Sequence, residues 1–435
     1  MPEKSYIPFT KEMKKTHTIL VPTMLPMHFE LIISVMRTYG YNMELLRSSG
    51  PEIAETGLKY VHNDTCYPAI LVIGQFIHAL QSGRYDPERV ALVLFQTGGG
   101  CRASNYVPLL RKALARAGYG YVPVVSLSLG GLEKHPGFQL SVKKLHGMMY
   151  AVLYGDLLMT LVNQCKPYEK RRGDAEALAE GWTRRLGKEL GTGRINYRHI
   201  QENYKRIVRS FTAIPMERRR TVKVGVVGEI FVKYSPLGNN DLENFLVGEG
   251  AEVVVPGLID FCLYVVYNSL EDYRLYGRGP LSHHAYAAAY GVLCRKKRDL
   301  IQAIERGGFD APVPFERTAN LARGYISNGA KMGEGWLLTA EMLELAESGV
   351  KNIVCTQPFG CLPNHICGKG MMRPIKERNP DVNIVAIDYD AGATRVNQEN
   401  RLKLMLSNAD AFSRSAGRGD VPPAGRPGGR LETFS

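Results

Sequence analysis

At 435 residues the chain is too long for one small core, and at roughly 100 to 200 residues per domain it is expected to divide into two or three. The formal charge of +13 gathers in runs such as "KPYEKRRGD", "GWTRRLGKELGTGR" and "MERRRTVK"; without interleaved stacking aromatics these read as solvated helix faces, which sets nucleic acid aside and favours an acidic cofactor or protein partner. No stretch reaches the ~18 uncharged apolar residues of a membrane span and the N-terminus lacks an apolar signal core, so a cytoplasmic chain with no membrane partner is expected, its 8 cysteines reduced.

In chain order, "HTILVP" reads as a strand, "MHFELIISVMRTYG" as a helix ending at Gly40, "YNMELL" as a strand and "YPAILVIGQFIHALQSG" as a helix ending at Gly83. The strand "VALVLF", a helix around "VPLLRKALARAG" and the strand "YVPVVSLS" follow. Strands separated by helices of this length imply β-α-β units and a doubly wound parallel sheet over residues 1–140. From 141 to 219 the β signal disappears under the helical patterns "KLHGMMYAVLYGDLLMTLVNQ" and "HIQENYKRIVRSF", giving a helical linker or subdomain. Alternation resumes at "TVKVGVVGEIFV" and continues through "AEVVVPGLIDF", a helix at "GWLLTAEMLELAESG", the strands "NIVCTQ" and "VNIVAIDYD" and the helix "NQENRLKLMLSNA". The fold class is therefore α/β with two Rossmann-like domains, the second over 220–412. Residues 413–435, rich in Gly, Pro, Arg and Ser, are expected to be a disordered tail.

Ligands of open α/β sheets bind beyond the carboxyl ends of the strands. Cys101, after "VALVLFQTGGG", and Cys361, in "NIVCTQPFGCLPNH", fall there in different domains, and Cys66 stands just ahead of a helix whose dipole favours a thiolate. These three loop cysteines can meet in an interdomain cleft. Cys165, Cys262 and Cys294 sit in apolar helical segments and read as core residues. Cys355 is either a buried strand thiol or a further ligand, and Cys367 is structural though within reach of the same loop. No C-x-x-C spacing is present. "QTGGGC" lacks a Walker lysine and does not fit G-x-G-x-x-G; Gly99, Gly100 and Gly360 either clear space for a bulky inorganic cofactor or only form tight turns.

The segments "FTKEMKK", "LKYVHNDTCYPAILVIGQ", "QTGGGCRASNY", "YGDLLM", "VGVVGEI", "CTQPFGCLPNHICGKGM", "DYDAGAT" and "NQENRLKLML" span residues 9 to 407. Through them the chain resembles the carboxy-terminal region of the large activator proteins of 2-hydroxyacyl-CoA dehydratases and, more distantly, the dehydratase subunits and the double-cubane cluster proteins. The resemblance implies an iron-sulfur protein that works as a dimer and receives electrons from an ATP-hydrolysing, actin-like activase. It implies a 4Fe-4S cluster with one open iron on Cys66, Cys101 and Cys361, with Cys355 as a fourth or second-cubane ligand. A double-cubane 8Fe-9S centre calls for about six thiols, and five lie in loop or strand-end positions, so a single cluster is the expectation. Those large relatives carry fused activase domains; here no actin-like signature is found, and the activase is expected on a separate chain.

Around the cysteines, Arg102 and Lys369 either offset cluster charge and bind an acidic substrate such as an acyl-CoA, or are solvated cations. His62 and His365 are either proton carriers or ordinary loop histidines, and Glu229 is either an acid/base group or a turn cap. Asp388 and Asp390 are either ribose contacts or turn formers. Three function classes follow: a reductive enzyme component, a cluster-bearing electron carrier for another catalyst, or a metal-free α/β binding protein.

Overall fold

The computed structural model describes residues 6–95, 100–127, 135–217, 219 and 221–416. The first sheet holds β1 (Thr18–Val21), β2 (Met43–Leu45), β3 (Val90–Phe95) and β4 (Val124–Leu127), in the order β2-β1-β3-β4. The second holds β5 (Val222–Gly228), β6 (Ala251–Val254), β7 (Asn352–Pro358) and β8 (Asn383–Tyr389), in the order β6-β5-β7-β8. Every pairing is parallel and the two orders are the same. Central strand β3 is apolar without alternation because helices cover both faces: Ala91, Leu92 and Val93 are all fully buried. The strand order reverses between β1 and β3 and again between β5 and β7, and a crevice opens beyond the carboxyl ends at such a point. The chain leaves β3 toward Cys101, β5 toward Glu229 and β7 toward Cys361.

In the first domain the longer helices are α1 (Pro26–Thr38), α2 (Pro51–Tyr60), α3 (Tyr67–Gln81) and α4 (Tyr106–Arg116). Helix α3 is buried on nearly every face. It crosses α2 at backbone contact: a Cβ on Gly57 would lie 2.2 Å from the Ile70 carbonyl oxygen, and one on Gly74 would lie 2.1 Å from that of Ile53. This crossing sets the position of Cys66, immediately before α3. Gly74→Ala forces the helices apart and is expected to cost about 1–3 kcal/mol. A lower urea midpoint at unchanged slope checks it; an unchanged midpoint contradicts it.

The helical body is α5 (Val142–Cys165), α6 (Asp174–Leu190) and α7 (Tyr197–Thr212), joined from the second domain by α8 (Leu258–Tyr276) and α9 (Pro280–Arg306). Within "AEVVVPGLIDF" the strand β6 stops at Val254 and α8 begins at Leu258. Its start is fixed from a distance. The Asp156 carboxylate on α5 accepts from the backbone N–H of Leu258 and Ile259 at 2.7 and 2.9 Å, and from His28 at 2.8 Å. Helix α5 is long and apolar enough to cross a membrane, yet 72% of its most apolar window is buried inside the fold. Helices α10 (Trp336–Glu347) and α11 (Arg395–Ala416) complete the second domain; α11 runs past the expected start of the tail at 413, and residues 417–435 lie outside the described residues.

Candidate functional site

Cys66, Cys101 and Cys361 share one local geometry. Each precedes a helical turn and has a backbone N–H from two or three residues on directed at its sulfur: Ala69 for Cys66, Ala103 at 3.5 Å for Cys101, and Asn364 for Cys361. Proline fits the first turn of a helix because its missing N–H has no partner there anyway, and Pro68 and Pro363 stand two residues after Cys66 and Cys361. Cys66 and Cys361 are 5% and 6% exposed, and Cys101 is half-buried. Burial pushes the Cys66 thiol up to about 11 and raises Cys361 as well, with the Cys101 charge adding to both. Metal coordination at these sulfurs therefore has to displace protons.

The loops interlock across the two domains. Tyr67 N–H donates to the Phe359 carbonyl at 3.0 Å, and Arg102 donates to the Asp64 carbonyl. Gly360 has φ +73°, and a Cβ there would lie 3.2 Å from the Cys66 Cα and 2.9 Å from the Arg102 guanidinium; the close approach needs glycine. Gly100 N–H points at the Met332 sulfur, 3.1 Å away, and a Cβ on Gly333 would come within 3.6 Å of the Cys101 sulfur. The segments around 64–67, 100–102, 332–334 and 359–363 thus form one wall.

Two buried carboxyls complete it. Glu229 Oε2 accepts from Val232 N–H at 2.9 Å and Glu334 Oε1 accepts from Ile230 N–H at 3.0 Å, so both grip the same short helix, Ile230–Tyr234. Burial, then the charge of Glu334, pushes Glu229 up to about 8; burial raises Glu334 also. Each buried carboxyl so placed disfavours ionisation of the other. Behind them Lys233 bonds both Glu341 oxygens at 2.9 and 3.2 Å, and Lys297 bonds Asp260, all four side chains at most 3% exposed.

The remaining candidates stand apart from this wall or serve it indirectly. The Cys355 thiol turns into the core beside Met342 and Ile375, 3.5 Å from Asn364 Oδ1, and senses Asp388, Glu341 and Lys369. Cys367 is buried and shares with Cys361 the influence of Glu334. Cys165 and Cys294 are buried in α5 and α9, and Cys262 packs against the same core from α8. His62 is 76% exposed and pairs with Asp64. His365 Nδ1 lies 2.7 Å from the Cys361 carbonyl oxygen, fastening the backbone of that loop. Lys369 and Arg401 meet the Asp388 carboxylate at 3.3 and 3.5 Å, and Asp390 closes a turn through Ala393 N–H. Arg102 acts as the clasp described above. Gly99 lies outside the described residues.

Among the described residues no three or more His, Cys, Asp or Glu side chains surround a single point at metal-ion distance. A lone zinc would require four donors within about 2.3 Å of one centre, whereas a cluster spreads its thiolates over separate irons. Three cysteines from separate loops, each with an N–H on sulfur and with glycines where the loops touch, fit the second pattern. Glu334 and Tyr106, whose hydroxyl lies 3.0 Å from the Cys66 sulfur, were not among the residues singled out from sequence. The glycine-rich "GAKMGEGW" is the local signal that marks this loop system; Cys-x-Pro occurs at Cys66 and Cys361 but also at Cys165, outside it. No protein-family model matches the chain, and no curated protein matches it.

Proposed function

We propose that this chain is the iron-sulfur component of an ATP-dependent, low-potential reductase or dehydratase system of the cytoplasm. A separate activase of actin-like fold feeds it electrons, and it acts on a 2-hydroxyacyl-CoA or another small molecule. The observation that carries this reading is the gathering of Cys66, Cys101 and Cys361 in one interlocked wall, each at the start of a helical turn. These three would hold a 4Fe-4S cluster. When bound, such a cluster supplies low-potential electrons and an iron without a protein thiolate.

The chain's own residues supply the rest. Burial holds Glu229 and Glu334 toward their protonated forms, which suits a general acid for a departing hydroxyl or, once deprotonated, a general base. Lys233 behind them limits the negative charge that accumulates there. Met332, Phe359, Leu362 and Ile366 remain 44 to 55% exposed on these loops, and apolar side chains left in water beside a site suit a docking protein such as the activase.

Anaerobic reconstitution with iron and sulfide is expected to yield about four irons per chain and broad visible absorption. A colourless, iron-free protein contradicts the reading. Turnover of an acyl-CoA with activase, ATP and reductant then separates a catalyst from an electron carrier, which consumes none.

A further inference from the structure

We infer that Tyr106 is a positioning residue for this centre, its hydroxyl donating a hydrogen bond to the Cys66 sulfur and setting both the orientation and the electron affinity of that ligand. The inference rests on the proposed cluster. The two atoms are 3.0 Å apart, and the hydroxyl end of Tyr106 lies deep in the protein although its ring is half-buried. In the metal-free protein either group can donate. A metal-bound thiolate carries no proton, so the hydroxyl is then the donor.

The placement is tied to the neighbouring ligand. Cys101 opens the short helix Arg102–Asn105, and Tyr106 begins α4 directly after it. This segment thus presents the Cys101 sulfur and, five residues later, a donor to Cys66 at the cap of the adjacent α3. Cys66 receives this side-chain donor in addition to the Ala69 N–H. Hydrogen bonds to ligand sulfur withdraw electron density and favour the reduced, more negatively charged cluster. Removing one makes the centre harder to reduce.

Tyr106→Phe keeps the ring and deletes the donor. Wild type and variant, reconstituted together, are compared for iron content, thermal unfolding and midpoint potential by spectroelectrochemical titration. The expected result is equal iron and equal unfolding with a more negative potential in Y106F; a tenfold fall in the reduction equilibrium constant reads as about 59 mV for a one-electron couple. Equal potentials at equal iron content overturn the role of Tyr106 and leave the cluster reading standing. A wild-type protein that takes up no iron overturns both.

Discussion

Replacing Lys233 by methionine is expected to lower folding stability by about 3–5 kcal/mol, the cost of leaving a buried partner charge uncompensated. Lys233 is 3% exposed and bonds both oxygens of Glu341, itself 2% exposed. The variant strands Glu341 beside Asp260 and Glu334, whose charges it already feels. Adding Glu341→Leu removes the stranded charge, so the double variant is expected to recover most of the loss, as buried pairs often exchange for apolar residues at little cost. Urea unfolding of the four proteins gives the coupling directly. A K233M variant as stable as wild type contradicts the buried pair.

Glu229→Gln is expected to flatten the dependence of stability on pH. The folded carboxyl keeps its proton up to about 8, while the unfolded one loses it near its ordinary value of 4.5. This carboxyl therefore favours the fold fully below the unfolded value, and its contribution is lost as pH rises toward the folded one. The slope is about 1.4 kcal/mol per pH unit for one proton. Measured against wild type, the variant should gain steadily across that window, by up to about 5 kcal/mol in all. Glutamine can still accept from Val232 N–H, so the cap survives. Unfolding curves that stay parallel from about pH 5 to about pH 8 would show that Glu229 ionises normally.

The two parallel sheets are legible in the sequence because their central strands are buried on both faces and read as unbroken apolar runs, as in "VALVLF". Cys101 and Cys361 are legible as crevice residues for the same reason, since each follows such a run. Helices α8 and α9 are not. The apolar "AEVVVP" runs straight into α8, and the cap that starts the helix is Asp156, about a hundred residues earlier on α5. Glu334 escapes for a related reason: its significance lies in the backbone of Ile230 and the carboxyl of Glu229, far away along the chain. Tyr106 sits within a segment chosen for its glycines and cysteine, but the target of its hydroxyl is set by the packing of α3 against α4, which no local pattern encodes. Cys355 is a further case. Sequence leaves it either a strand thiol or a ligand, and its surroundings, a fully buried place in β7 with Asn364 of the Cys361 loop 3.5 Å from the sulfur, are set by packing that no local pattern encodes.

The most direct measurement is the iron and sulfide retained by Cys66→Ala, Cys101→Ala, Cys361→Ala and Cys355→Ala after identical anaerobic reconstitution. Each of the first three should lose most of its iron while Cys355→Ala keeps the wild-type content. Equal retention in all four, or iron lost only with Cys355, would contradict a centre built on Cys66, Cys101 and Cys361.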